Sequence, residues 1–452
     1  MVADTTQQPT FVATSNPPEI AISSVWRGQQ FSGPLRTVDG QTLEVVHRGV
    51  WSNGFGPDFR DALILFDGRE LRAGSVEVHR RTSGWAAHGH GRDPRYDDVV
   101  LHVVLNHDGA ETRRHDGALV PVLELSGRVA IAVDARFATA DWGRFGGEAC
   151  APDLARANPN AIRTAILRLG DSRLASKAAK IEAQLTGDTP GDVLYREIWD
   201  GLGYTANREP MRAVAERLPL ATIESALTTT PPGQRFTYAL ALLFGVAGFL
   251  PLAPADAAFA DISPADVTAI ETVWATRGHP WREVTIAPTA WTRARVRPAN
   301  HPVARLAAGA ALLANLPGGL IPGLLAPIRA GDDPIAAIRD KTERDGHPGL
   351  GFDRAAAIVA NALLPFALAL AEHTGDRALT DVAALAWERL PAAESNAVTR
   401  RAHRQVAGDA RLTGLGARGQ QGLIHLDATL CAPRRCFECP IAHLTLTESP
   451  RG

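Results

Sequence analysis

The feature that most constrains this fold is a change of hydrophobic period partway along the chain. Up to about residue 125 the apolar residues come in short β-branched or aliphatic runs: Leu43–His47, Ala62–Phe66, Ser75–His79, Val99–Leu105 and Val120–Leu125. Gly, Asp and Asn bound these runs, so they read as strands. From about Ile162 onward, apolar residues recur at three- and four-residue spacing in stretches rich in Ala, Leu and Arg, which is the pattern of helices with one buried face. The clearest helices are predicted over 162–169, 173–185, 193–202, 236–250, 302–314, 355–371 and 380–390. A chain of 452 residues exceeds what one hydrophobic core usually supports. The two periods therefore predict an α+β N-terminal domain over residues 18–130 and a mostly α-helical domain over 161–430, joined by a Gly- and Pro-bearing linker at 131–160.

Residues 1–17 are polar and lack the basic start and apolar run of a secretory signal, so they read as a disordered tail, and a cytoplasmic location is expected. A short helix is predicted over Glu19–Gln30, with Ile20, Val25 and Trp26 on its apolar side. The most apolar stretch, Ala239–Leu250, is shorter than the ~20 residues a membrane span needs and reads as a buried helix, so no membrane is expected. The formal net charge of -2 gives no global attraction to nucleic acid, and such a partner would need a local patch.

Candidate chemistry gathers in the β-rich part. Asn53-Gly-Phe-Gly-Pro-Asp58 is a turn that presents Asp58 at the entrance of a strand. One hairpin later, Glu77 and His79 are two residues apart and so project from the same face. If the two strands pair, Asp58 and Glu77 converge on one divalent cation, Mg²⁺ or Mn²⁺, with His79 binding the metal or polarising water. Six of the fourteen histidines lie between His79 and His115, among them His88, His90 and His102. His102 sits in a strongly apolar strand, so an inward imidazole there needs a partner such as Glu77 or a metal. These histidines also admit a zinc hydrolase, although their spacing matches no helical zinc motif.

Two resemblances follow from these residues. Gly56-Pro-Asp-Phe, Gly74-Ser-Val-Glu-Val-His79, Ser83-Gly-Trp85, His88-Gly-His90, Asp93, Tyr96 and Val100-Leu-His-Val-Val104 resemble a bacterial family of uncharacterised proteins, and the likeness runs over nearly the whole chain. Over about Glu19 to Leu125 the chain also resembles the PD-(D/E)XK nuclease superfamily, in Pro57-Asp58 followed by Glu77-Val78-His79. That second resemblance implies a restriction-endonuclease-like αβββαβ core in which Asp58 and Glu77 are metal ligands and Glu19 is the helix carboxylate. His79 takes the place of the usual lysine, whose fixed positive charge a neutral imidazole does not reproduce. The missing lysine also supports a non-catalytic binding factor on a decayed nuclease fold.

Three of the four cysteines, Cys431, Cys436 and Cys439, sit together near the C-terminus with a proline after the last. Cys150 as fourth ligand would give an iron–sulfur centre, and His443 would instead complete a local zinc site. Some superfamily nucleases carry one distant and three clustered cysteines around an iron–sulfur centre; here Cys150 follows the acidic motifs instead of preceding them. Basic residues cluster at Arg168–Lys180 and at Trp281–Arg305, where Arg293, Arg295, Arg297 and Arg305 with Trp291 form the candidate grip on a nucleic-acid strand. The expected activity is metal-dependent phosphodiester hydrolysis by in-line attack of activated water on nucleic acid.

Overall fold

The aliphatic runs pair into one mixed sheet, seen in a computed structural model that describes residues 11–13, 17, 19–29, 31, 33–52, 56–128, 132–134, 149–204, 206–294, 296–316, 318–344, 349–433 and 435–448. Strand β1 (Phe11–Ala13) precedes helix α1 (Glu19–Gly28). Strands β2 (Leu35–Arg36), β3 (Thr42–His47), β4 (Val50–Trp51), β5 (Phe59–Phe66) and β6 (Glu70–Arg81) follow, then the single turn α2 (Gly84–Ala87) and β7 (Val99–Asn106), β8 (Val122–Glu124) and β9 (Ala132–Asp134). The main sheet has the order β2-β3-β5-β6-β7-β8, with β4 also paired to β5. From β3 through β6 the pairing is antiparallel, whereas β6–β7 and β7–β8 are parallel.

Local chemistry sets this order. Asp67 and Gly68 both take positive φ (49° and 64°), which closes β5 and β6 into a tight hairpin. Parallel pairing of β6 with β7 needs a crossover. It is made by residues 82–98, which hold α2 and two 3-10 turns, His90–Arg92 and Pro94–Tyr96. Residues Ser75 to His79 in the middle of β6 are all buried, because β5 and β7 flank them and α1 packs on β6. That helix buries Ala21, Ile22, Val25 and Trp26. At the start of the β6–β7 pair, a Cβ on Gly74 would lie 2.3 Å from the Asp98 carbonyl oxygen, so only glycine lets the strands approach there.

The chain forms two units, and the first reclaims the chain's end: Met1–Ile166 with Ala397–Thr413 and Leu423–Gly452, against Leu167–Asn396 with Gly414–Gly422. Periodicity had placed residues 397–413 and 423–430 with the second unit, because apolar spacing shows that a helix has a buried face but not which unit covers it. The N-terminal sheet region and the mostly helical region after it agree with the α+β and α division read from the sequence. Within the expected tail, Phe11–Ala13 is a strand paired with Ala132–Asp134 of the expected linker. The rest of the tail, apart from Pro17, lies outside the described residues, as do residues 53–55, 129–131 and 135–148.

The segments 162–169 and 173–185 are one helix, Pro159–Leu185. Gly170 does not break it: a Cβ there would meet the Arg418 carbonyl oxygen at 2.1 Å, so the glycine serves close packing. The stretch Phe352–Thr374 is long and apolar enough to cross a membrane, yet 72% of its most apolar window is buried among its neighbours, as in a core helix. Trp199, Tyr195, Phe244 and Phe366 are the largest side chains enclosed there.

Candidate metal centre

Register brings the sequence-predicted residues together. Phe59 pairs with Val76 across the β5–β6 ladder, so Asp58 stands beside Glu77. Glu77 in turn pairs with His102 on β7. Laterally paired residues point to the same side of a sheet. Asp58, Glu77, His79 and His102 therefore share one face. The Asp58 amide donates to Glu77 Oε2 at 2.9 Å, and Asp58 Oδ2 accepts from the Val78 amide at 3.2 Å. Glu19, in the first turn of α1, accepts from the Arg80 amide at 3.3 Å. All three carboxylates named from the sequence thus reach the buried stretch of β6 or the residue after it.

The crossover supplies the rest. His79 Nε2 lies 3.0 Å from His88 Nδ1 and 3.6 Å from Glu77 Oε1, and His90 Nε2 lies 3.2 Å from the same Glu77 oxygen. Among the described residues, His79, His88 and His90 form the group whose ligand atoms all fall within 4.8 Å of one another. A tetrahedral ion with nitrogen and oxygen ligands has ligand–ligand edges of about 3.3 Å. The three measured edges of 3.0, 3.2 and 3.6 Å bracket that value. His90 Nε2 is buried, and its 3.2 Å approach to Glu77 Oε1 lacks hydrogen-bond geometry, the condition of an atom left for a cation.

Around these ligands stands an ordered outer layer. His79 Nδ1 is 2.9 Å from His102 Nε2, and His102 Nδ1 is 2.7 Å from the Thr112 hydroxyl. With His79 Nε2 free of its proton for a metal, Nδ1–H donates to His102, and His102 Nδ1–H donates to Thr112, so one tautomer chain satisfies the whole series. Tyr96 stacks on His90 with ring centroids 3.9 Å apart. Gly84 leaves room for His79, since a Cβ there would sit 3.0 Å from its ring.

The electrostatics match a cation site. Burial, offset in part by the Asp58 amide and reinforced by the Glu19 charge, pushes the Glu77 carboxyl up to about 8. Burial and then the neighbouring imidazoles push His79 down to about 2, and burial pushes His102 down to about 3. Neutral imidazoles are what metal ligation requires, and a buried carboxylate needs a positive partner. Sequence reasoning missed Thr112, and it noted Gly84 and Tyr96 only within the family-like strings, with no role. Their roles come from a loop folding back over β7 and from the crossover's packing, which no local pattern shows.

The expected nucleic-acid residues belong to the second unit and are mostly structural. Trp291 is 5% exposed and donates from Nε1 to the Ala247 carbonyl at 2.8 Å, so its ring offers no face to a base. Arg293 pairs with Asp256 at 3.1 Å and covers Phe249. Arg305 is buried and donates to Asn300. Arg297 is exposed, and Arg295 lies outside the described residues. Beside Asp58, an open cleft is lined instead by Pro57, Arg60, Pro94, Arg95, Asp97 and Asp98. His443, the alternative zinc ligand, is half-buried on the last helix, Pro440–Glu448.

A family model described as protein of unknown function (DUF2851) matches residues 19–320, which takes in α1, the whole main sheet and the histidine crossover. No curated protein and no solved structure matches the chain.

Proposed function

The chain belongs to the DUF2851 family of proteins of unknown function, and for it we propose a metal-dependent phosphodiesterase whose ion is held by Glu77, His79, His88 and His90. The observation that carries this reading is the meeting of Asp58 with Glu77 on one face of the sheet, within reach of three imidazoles. The succession α1, β3, β5, β6, crossover, β7 supports a nuclease-like core, since it follows the αβββαβ order with an antiparallel meander and a parallel last pair.

Three nitrogens and one oxygen suit Zn²⁺ or Mn²⁺ better than Mg²⁺, which takes oxygen ligands and keeps its waters. When bound, such an ion would supply charge stabilisation and, in a position added beyond these four ligands, would activate water for attack on phosphorus. The chain's own residues do the remaining work. Glu77 and the neutral imidazoles hold position, Asp58 and Glu19 place two further carboxylates at the rim, and Arg60 and Arg95 line the adjacent cleft where an anionic backbone would lie. His79 is a ligand in this reading, so the missing lysine is no deficit: the cationic charge comes from the ion.

The test uses the full chain with single- and double-stranded DNA and RNA and added Zn²⁺, Mn²⁺ or Mg²⁺. Cleavage is expected with Zn²⁺ or Mn²⁺ and weakly with Mg²⁺, and Asp58→Ala or Glu77→Ala should lower it by about 10²-fold or more. Cleavage that survives both changes excludes the mechanism. The histidine ligation also favours a second reading, a zinc hydrolase of carboxylic esters or amides. Turnover of those substrates with none of any phosphodiester would select it.

A further inference from the structure

The four cysteines form a second centre, apart from the histidine site. Cys150 precedes helix α3 (Pro152–Ala157), and it is docked on the helix Ala397–Ala407: its amide donates to the Gln405 carbonyl at 2.7 Å, and Gln405 Nε2 lies 3.0 Å from its sulfur. Arg401, one turn earlier on that helix, holds Asp427 through two hydrogen bonds of 2.9 and 2.5 Å. Asp427 opens the π-turn Asp427–Cys431. The chain then passes through the 3-10 turn Cys436–Glu438 to Cys439, which immediately precedes the helix Pro440–Glu448. A residue from the middle of the chain and three from its end are thus drawn to one place within the first unit.

None of the four cysteines is in a disulfide; Cys439 is buried and the others are half-buried. The thiols of Cys439, Cys150 and Cys436 are the electrostatic neighbours of Cys431. Arg27 of α1 donates to the Ala432 carbonyl at 2.8 Å, which ties α1 to the turn between Cys431 and Cys436.

Spacing distinguishes the metals. A zinc bound by four thiolates holds its sulfurs about 3.8 Å apart. Among the described residues no three of these thiols approach within the 4.8 Å that gathers the imidazoles. A wider set of four sulfurs fits a polynuclear cluster, each thiolate binding a different iron. We propose that Cys150, Cys431, Cys436 and Cys439 ligate a [4Fe–4S] cluster that fastens the chain's end to α1, the helix that carries Glu19.

The experiment is iron, zinc and acid-labile sulfide analysis of the full chain purified without oxygen, with visible absorption, before and after reconstitution with ferrous iron and sulfide. About four irons and about four sulfides per chain are expected, with a broad visible band. Cys150→Ser and Cys436→Ser should each lose most of that iron, whereas His88→Ala and His90→Ala should keep it, which separates this centre from the histidine site. On cluster loss, hydrogen exchange should rise in α1 and in residues 435–448. One zinc per chain without iron, a colourless protein after reconstitution, or full iron content in both serine variants would overturn the proposal. Because the first two readouts use the unaltered chain, a serine variant that misfolds does not blunt the test.

Discussion

Replacing Glu77 by Gln should stabilise the metal-free protein and abolish its stabilisation by metal. The carboxyl has an ordinary value of 4.5 and is pushed to about 8 in the fold. Because the folded value exceeds the unfolded one, the unfolded chain releases this proton first as pH rises. The metal-free fold is therefore favoured fully below pH 4.5 and loses that advantage up to about pH 8. Integrated to pH 7, the shift corresponds to a ceiling of about 3 kcal/mol, since each unit is about 1.4 kcal/mol. Glutamine keeps the shape and the acceptor for the Asp58 amide but carries no charge, so the cost vanishes. A bound ion acts in the opposite sense: at a free concentration a hundredfold above Kd it adds about 2.7 kcal/mol to the wild type. Glu77→Gln loses a ligand and most of that gain. Thermal melts across pH 5–8, in EDTA and in excess Zn²⁺ or Mn²⁺, should therefore cross: the variant melts higher without metal, increasingly so toward pH 8, and the wild type melts higher with it. A variant that melts no higher than wild type in EDTA at pH 8, or a difference that does not change with pH, would refute the reasoning.

Two further substitutions probe the supports of the site. Thr112→Val removes the acceptor for His102 and leaves a fully buried ring nitrogen unsatisfied, so metal affinity measured by titration should fall about 10- to 100-fold while no ligand has been changed. Gly74→Ala forces a Cβ to 2.3 Å from the Asp98 carbonyl. It should cost about 1–3 kcal/mol in denaturant melts of the first unit, and a neutral result would mean that the strands separate there without penalty.

The sequence-to-structure comparison divides along the range of the interactions involved. Alternation and β-branched runs located β3, β5, β6, β7 and β8 because strand residues in a buried sheet must be apolar wherever they stand. They understated the lengths: β6 begins at Glu70 and ends at Arg81, and its polar ends are exposed, which leaves no apolar signal to read. β1 and β9 were missed because a three-residue strand is too short to show a period. The convergence of Asp58, Glu77 and His79 was legible because one hairpin and a spacing of two determine it. The placing of Trp291 and Arg305 was not, since a basic, aromatic stretch reads the same whether its rings face solvent or a helical core, and only packing decides.

That division explains why the ligand set proposed above differs from the two-carboxylate pair expected from sequence. Asp58 and Glu77 come from a hairpin, a local structure, whereas His88 and His90 sit on a crossover whose path depends on where β7 docks. Parallel docking of β7 beside β6 compels residues 82–98 to return over the sheet, and Trp85 and Tyr96 anchor that return against Val99 and Val120. Once anchored, the loop has few choices, and it sets His88 and His90 over the same face that Glu77 and His79 occupy. A carboxylate on that face would face water if the crossover were elsewhere and would keep its ordinary acidity. Enclosure by the crossover both raises Glu77 and supplies the nitrogens that make its ionised form tolerable beside a cation. The proposed preference for a nitrogen-seeking ion over Mg²⁺ thus follows from sheet topology, and a chain with the same hairpin but an antiparallel β7 would lose the histidines and keep only an exposed carboxylate pair.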